Sequence, residues 1–101
     1  MCIHLKRFRH DYTVTAKIST YIEFPLRDFD ISPYLHNNCK NESNYDLCSI
    51  ICHHGGFNGG HYTCYAFNYI DNEWYEFNDS CCTHVDESIV KNSQAYVLFY
   101  Q

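Results

Sequence analysis

His61 and Asn78 are the two side chains in this sequence whose types and placement could do chemistry together. The stretches His61 to Phe67 and Asn72 to Phe77 read as the arms of a β-hairpin. With the four residues Asn68 to Asp71 as its loop, Phe67 faces Asn72 and His61 faces Asn78. Directly opposed side chains share one face of a sheet, with Cβ atoms ~4.5–5.5 Å apart. At that separation an asparagine oxygen accepts a proton from an imidazole nitrogen. Such a bond orients the ring, sets its tautomer and leaves the other nitrogen for a nucleophile. A two-residue turn at Asp71-Asn72 is the competing register: Ile70 then faces Glu73, Asn78 faces Tyr65, and the pair is lost. A histidine opposite an asparagine is also, in many sheets, a satisfied polar contact and nothing more.

Gly59 and Gly60 immediately precede His61. Without Cβ atoms they would let a substrate backbone approach the imidazole closely, which suits a substrate that is itself glycine at the cleaved bond. The plainer reading of Gly55 to Gly60 is an ordinary flexible loop. Seven cysteines raise the questions of disulfides and zinc. The number is odd and no secretory leader is evident, which argues against a disulfide framework. Cys48 and Cys52 precede His53 and His54, and Cys81-Cys82 precedes His84, but no C-x2-C knuckle occurs. The cysteines are therefore expected to serve as small buried apolar residues, with no metal bound.

The elements that must position these residues are mostly strands. Lys17 to Phe24 is β-branched and aromatic and closes at Pro25; Asp30 to Leu35 is a further short extended element. His36 to Asn44 is a polar loop. Tyr45 to Cys52 is nearly continuous in apolar residues, predicting burial on both faces. Cys82 to Val85 adds a strand, Asp86 to Lys91 one helical turn, and Ala95 to Tyr100 a last buried strand. Trp74, Tyr75 and Phe77 are expected as core aromatics. The 101 residues allow one domain or part of one, and 46% hydrophobic with 18% aromatic content argues against disorder. A formal charge of −5 argues against nucleic acid as a partner. No apolar run approaches the ~20 residues that would span a bilayer. A reducing, cytoplasmic setting is expected, with the nucleus as a second compartment.

Several ordered segments together resemble the histidine box of ubiquitin-specific proteases: Gly60 to Tyr65, Trp74 to Ser80, and Ala95 to Tyr100. Leu5-Lys6-Arg7-Phe8, Lys17-Ile18, Phe24-Pro25-Leu26, Tyr45-Asp46-Leu47 and His53-His54-Gly55 fit the same family in order. The wording is most similar to the branch that also carries DUSP modules. The resemblance implies an α+β, β-dominated fold, its antiparallel sheet forming the C-terminal, palm-like part of a papain-like cysteine protease. Residues 1–101 would be the C-terminal portion of that catalytic domain, without its cysteine box and fingers. It implies a cysteine-type deubiquitinase cutting at ubiquitin's terminal glycine, with ubiquitin and ubiquitinated proteins as partners and no cofactor. Carried over by position, His61 is the base, Asn78 or its neighbour Asp79 orients it, and Gly59, Gly60 and Tyr62 line the channel for ubiquitin's tail. The alternative is an inactive truncated product, a weak ubiquitin-binding or purely structural β-module.

Overall fold

The computed structural model describes residues 1–10, 15–37, 43–56 and 59–101. Runs of β-branched, aromatic and cysteine residues in alternation favour extended backbone, and the chain uses them to build one antiparallel sheet of six strands. In spatial order these are β1 (Cys2–His4), β10 (Ala95–Tyr100), β6 (Leu47–His54), β7 (His61–Asn68), β8 (Glu73–Asn78) and β9 (Cys81–Val85). Two small ribbons flank it, β2 (Phe8–His10) with β3 (Thr15–Lys17), and β4 (Phe29–Asp30) with β5 (Asn44–Tyr45). The α-helix is a single short turn, α1 (Glu87–Lys91), entered from Asp86 in extended conformation.

Ile50, Cys52, Tyr65, Trp74 and Leu98 meet Val90 of α1 in the buried cluster. Because side chains alternate along a strand, the pairs Ile50–Tyr65, Cys52–Thr63 and His54–His61 all lie on this helix-covered face. His53 and Tyr62 occupy the opposite face. The central strand β6 is buried on both faces, as its apolar run predicts: Cys52 and its neighbour His53 are both buried.

Three expectations need correction. The strand expected over Lys17 to Phe24 stops at Lys17. Beyond it the backbone acceptors are taken by side chains instead of a ladder: Ile18 and Thr20 carbonyls accept from Arg7, and Ser19 accepts from Gln94. The extended element expected over Asp30 to Leu35 is a strand only at its first residue and turns 3-10 helical over Ser32–Tyr34. Both Asp30 carboxylate oxygens accept from Ser32, and Pro33 suits the first helical turn. Phe77 is 44% exposed, because the face it occupies beside Cys64 lacks a covering layer there. Trp74 is buried as expected and Tyr75 is half-buried. The polar loop His36 to Asn44 and the loop Gly55 to Gly60 lie in part outside the described residues.

Candidate active site

His61 opens β7 and Asn78 closes β8. The register between the strands is neither of the two weighed from sequence: Cys64 pairs with Phe77, Phe67 with Trp74 and Asn68 with Glu73. The loop keeps four residues but runs from Tyr69 to Asn72. Turn chemistry selects it, since Asn68 Oδ1 accepts from the Ile70 amide at 2.9 Å and Asp71 Oδ1 from the Glu73 amide at 3.1 Å. Asn72 then adopts φ 57°, a left-handed conformation that asparagine tolerates.

Relative to the expected pairing, β8 has moved by two residues, so Asn78 falls level with Thr63. A slip of one would have turned Asn78 to the other face, whereas a slip of two preserves the face. His61 and Asn78 therefore become diagonal neighbours, which long side chains can still bridge. They do: His61 Nε2 lies 2.6 Å from Asn78 Oδ1. A carbonyl oxygen only accepts, so Nε2 carries the proton and donates it. In the neutral ring this places the basic lone pair on Nδ1, with His61 exposed and Asn78 half-buried.

Asp79 is the first residue of the two-residue turn that sets Asn78 opposite Cys81, at φ 51° and exposed to solvent. Among the described residues the side-chain hydrogen bond of His61 goes to Asn78 and not to Asp79. Nothing lies within 4 Å of where a Gly59 Cβ would stand, so that position borders open space. Gly60 is different. A Cβ there would sit 2.1 Å from His53 Nε2 and 2.7 Å from the His54 carbonyl oxygen, so glycine is required from within the protein. Tyr62 is 57% exposed, on the face opposite His61.

Two residues near the site carried no assignment from sequence. His54 is the cross-strand partner of His61 and bonds Thr63 through Nε2···Oγ1 at 2.9 Å. His53 is buried at 7% exposure between Phe8, Tyr62 and Tyr96, with ring centroids 5.3, 4.9 and 6.1 Å away. The signal available for both was their place at the end of the apolar strand, directly ahead of the glycines.

No described cysteine faces His61 as a nucleophile. Cys64, three residues along β7, points to the opposite face. Cys81 is separated from His61 by Asn78, which lies between them across two ladders, ~10 Å at the usual strand spacing. Cys52 is buried, and desolvation pushes its thiol above the ordinary range, which disfavours the reactive thiolate. Three of the six described cysteines are exposed, against the expectation of buried apolar fillers. Among the described residues no three His, Cys, Asp or Glu side chains gather as a metal would need.

The profile of the ubiquitin carboxyl-terminal hydrolase family matches residues 1–100. Ubiquitin carboxyl-terminal hydrolase 9 of Arabidopsis thaliana is 46% identical over 101 residues, covering 100% of this chain and 11% of that protein. Among solved structures, the SAGA DUB module containing Ubp8 bound to monoubiquitin matches with TM-score 0.87 and 32% identity, over 99% of this chain and 22% of that one. The same module bound to ubiquitin aldehyde matches with TM-score 0.88 and 30% identity, over 99% and 23%. A yeast SAGA DUB module gives TM-score 0.85 and 32% identity, over 99% and 22%. The chain thus spans about a tenth of the curated relative and under a quarter of the solved chains.

Proposed function

Because this chain belongs to the ubiquitin carboxyl-terminal hydrolase family, we propose that it is the C-terminal portion of a deubiquitinase catalytic domain and supplies the base half of its thiol site. The observation that carries the reading is the His61 Nε2–H to Asn78 Oδ1 bond, which leaves Nδ1 as the proton acceptor. In the reaction, Nδ1 takes the proton from a cysteine thiol supplied by another part of the enzyme. The thiolate attacks the carbonyl carbon of ubiquitin's terminal glycine, and the tetrahedral adduct collapses as the imidazolium protonates the departing lysine amine. Water then enters, gives a proton to Nδ1 and cleaves the thioester, restoring the thiol and releasing the ubiquitin carboxylate. Asn78 holds the ring throughout. Ubiquitin in the matched structures supports its C-terminal tail as the ligand near Gly59 and Gly60, with Tyr62 bordering the approach from the other face.

The second reading, an inactive module that binds ubiquitin weakly or serves structurally, is favoured by one fact: no described cysteine faces His61. One experiment separates the two. The matching segment of the Arabidopsis relative is replaced by this chain, and hydrolysis of a fluorogenic amide at ubiquitin's C-terminus is measured. The expected result is turnover by the chimera and a loss of about 10³-fold or more for His61→Ala. A folded chimera without turnover favours the inactive module, and turnover unaffected by His61→Ala removes His61 from the mechanism.

A further inference from the structure

His53 is a buried titratable side chain beside the site, and the mechanism does not use it. Its ring is enclosed by Phe8, Tyr62 and Tyr96, and its Nδ1 has no hydrogen-bond partner among the described residues. An imidazole held without polar compensation costs stability, so a solely structural core would be better served by an apolar ring. Burial, with Lys17 and His54 adding to it, lowers its pKa and so favours the neutral ring. The other nitrogen, Nε2, lies 2.1 Å from where a Gly60 Cβ would fall. On the facing backbone, a Cβ on Gly55 would come within 3.1 Å of the Gly60 Cα, and Gly55 itself has φ 105°. Lys17 Nζ donates to the His53 carbonyl at 2.6 Å and ties down the strand that carries the ring.

We infer that His53 is a positioning residue for His61: its flat ring is the floor on which the Gly60 backbone rests, and it sets where β7 begins and where the His61 side chain leaves the sheet. The geometry is specific in depth. A residue larger than glycine at position 60 or smaller than histidine at position 53 alters the height of the Gly60–His61 peptide. His61 meets Asn78 only diagonally, so its 2.6 Å bond has little slack when the peptide moves. The functional meaning of this inference rests on His61 being the base, but its test reads geometry alone.

The 101-residue chain labelled with 15N-histidine is compared by long-range 1H–15N spectra, which report the tautomer of each imidazole, as wild type, His53→Ala and Gly60→Ala. In the wild type His61 is expected as the Nε2–H tautomer. Each single variant should lose at least half of that population to the Nδ1–H form. Val90→Ala opens a cavity in α1 and serves as a control for general loosening; it should leave the His61 tautomer unchanged. The inference is overturned if His53→Ala or Gly60→Ala leaves His61 unaltered, or if Val90→Ala has the same effect. Should His53→Ala not fold, His53→Leu, which keeps the place apolar but removes the flat ring, decides in the same way. Intact His61 tautomers alongside an inactive chimera would count against the hydrolase reading and leave this one standing.

Discussion

At the scale of single residues, Asn78 and Asp79 divide two tasks that adjacent polar side chains could have shared. Asn78 spends its carbonyl oxygen on the His61 ring, while Asp79 spends its backbone conformation on the turn into β9. The substitutions that separate them follow directly. In the chimeric enzyme, Asn78→Ala should lower kcat about 10²–10⁴-fold, because the ring then samples the wrong tautomer; KM should change by less than about threefold. Asp79→Asn should cost less than about threefold, since asparagine also accepts a positive φ. Steady-state kinetics of both variants check the division. If Asp79→Asn proves the more damaging, the orienting role belongs to Asp79 in the assembled enzyme.

At the scale of elements, Arg7 replaces a missing strand. Its Nε donates to the Ala95 carbonyl at 2.7 Å, and its Nη1 donates to Ile18 at 3.0 Å and Thr20 at 2.7 Å, all from a side chain only 3% exposed. Bonds from a charged donor are worth roughly 1.5–3 kcal/mol each, and lysine cannot reproduce the planar fork. Arg7→Lys should therefore destabilise the chain by about 2–4 kcal/mol, read from urea unfolding; a loss under about 1 kcal/mol would show that Arg7 is not the anchor. This interaction also explains which elements could be read from the sequence. The Ala95 to Tyr100 strand, the hairpin arms and the helical turn at Glu87 announce themselves through local alternation and turn residues. The end of β3 does not, because what stops it is an arginine from another part of the chain. The hairpin register turned on whether Asn68 closes the ladder or enters the loop, a choice its type leaves open, and the two side-chain caps decide it. The His61–Asn78 pair was legible because their shared face survives a two-residue slip. The need for glycine at position 60 was not, since it comes from a ring on the neighbouring strand.

At the scale of the whole molecule, the chain is a slab. Its extents are 45 × 37 × 19 Å and its Cα radius of gyration is 15.7 Å, against about 13 Å for a rounded domain of 100 residues. With so thin a body, the helix-covered face holds most of the core, and two tyrosines buried in it make its integrity measurable. Tyr65 and Tyr100 are 7% and 3% exposed, and burial pushes the pKa of each up to about 12; Glu76 adds to the rise at Tyr65. In the unfolded chain both titrate near ~10. A folded-state pKa raised above the unfolded one favours the protonated, folded form, so this contribution is complete below about pH 10 and is lost as pH rises towards 12. Tyr100 is the cleaner probe, because its hydroxyl also donates to the Pro25 carbonyl at 2.8 Å, a bond the phenolate cannot make. Tyr100→Phe should be less stable than the wild type by about 1 kcal/mol at neutral pH. That gap should shrink, and then reverse, between pH 10 and 12, where only the wild type must bury a group that the solvent would ionise. Urea unfolding of both proteins across that range, with tyrosinate absorbance followed in parallel, measures it. A gap that stays constant to pH 12 would mean that Tyr100 ionises without disturbing the core, and that this face of the slab is open to solvent.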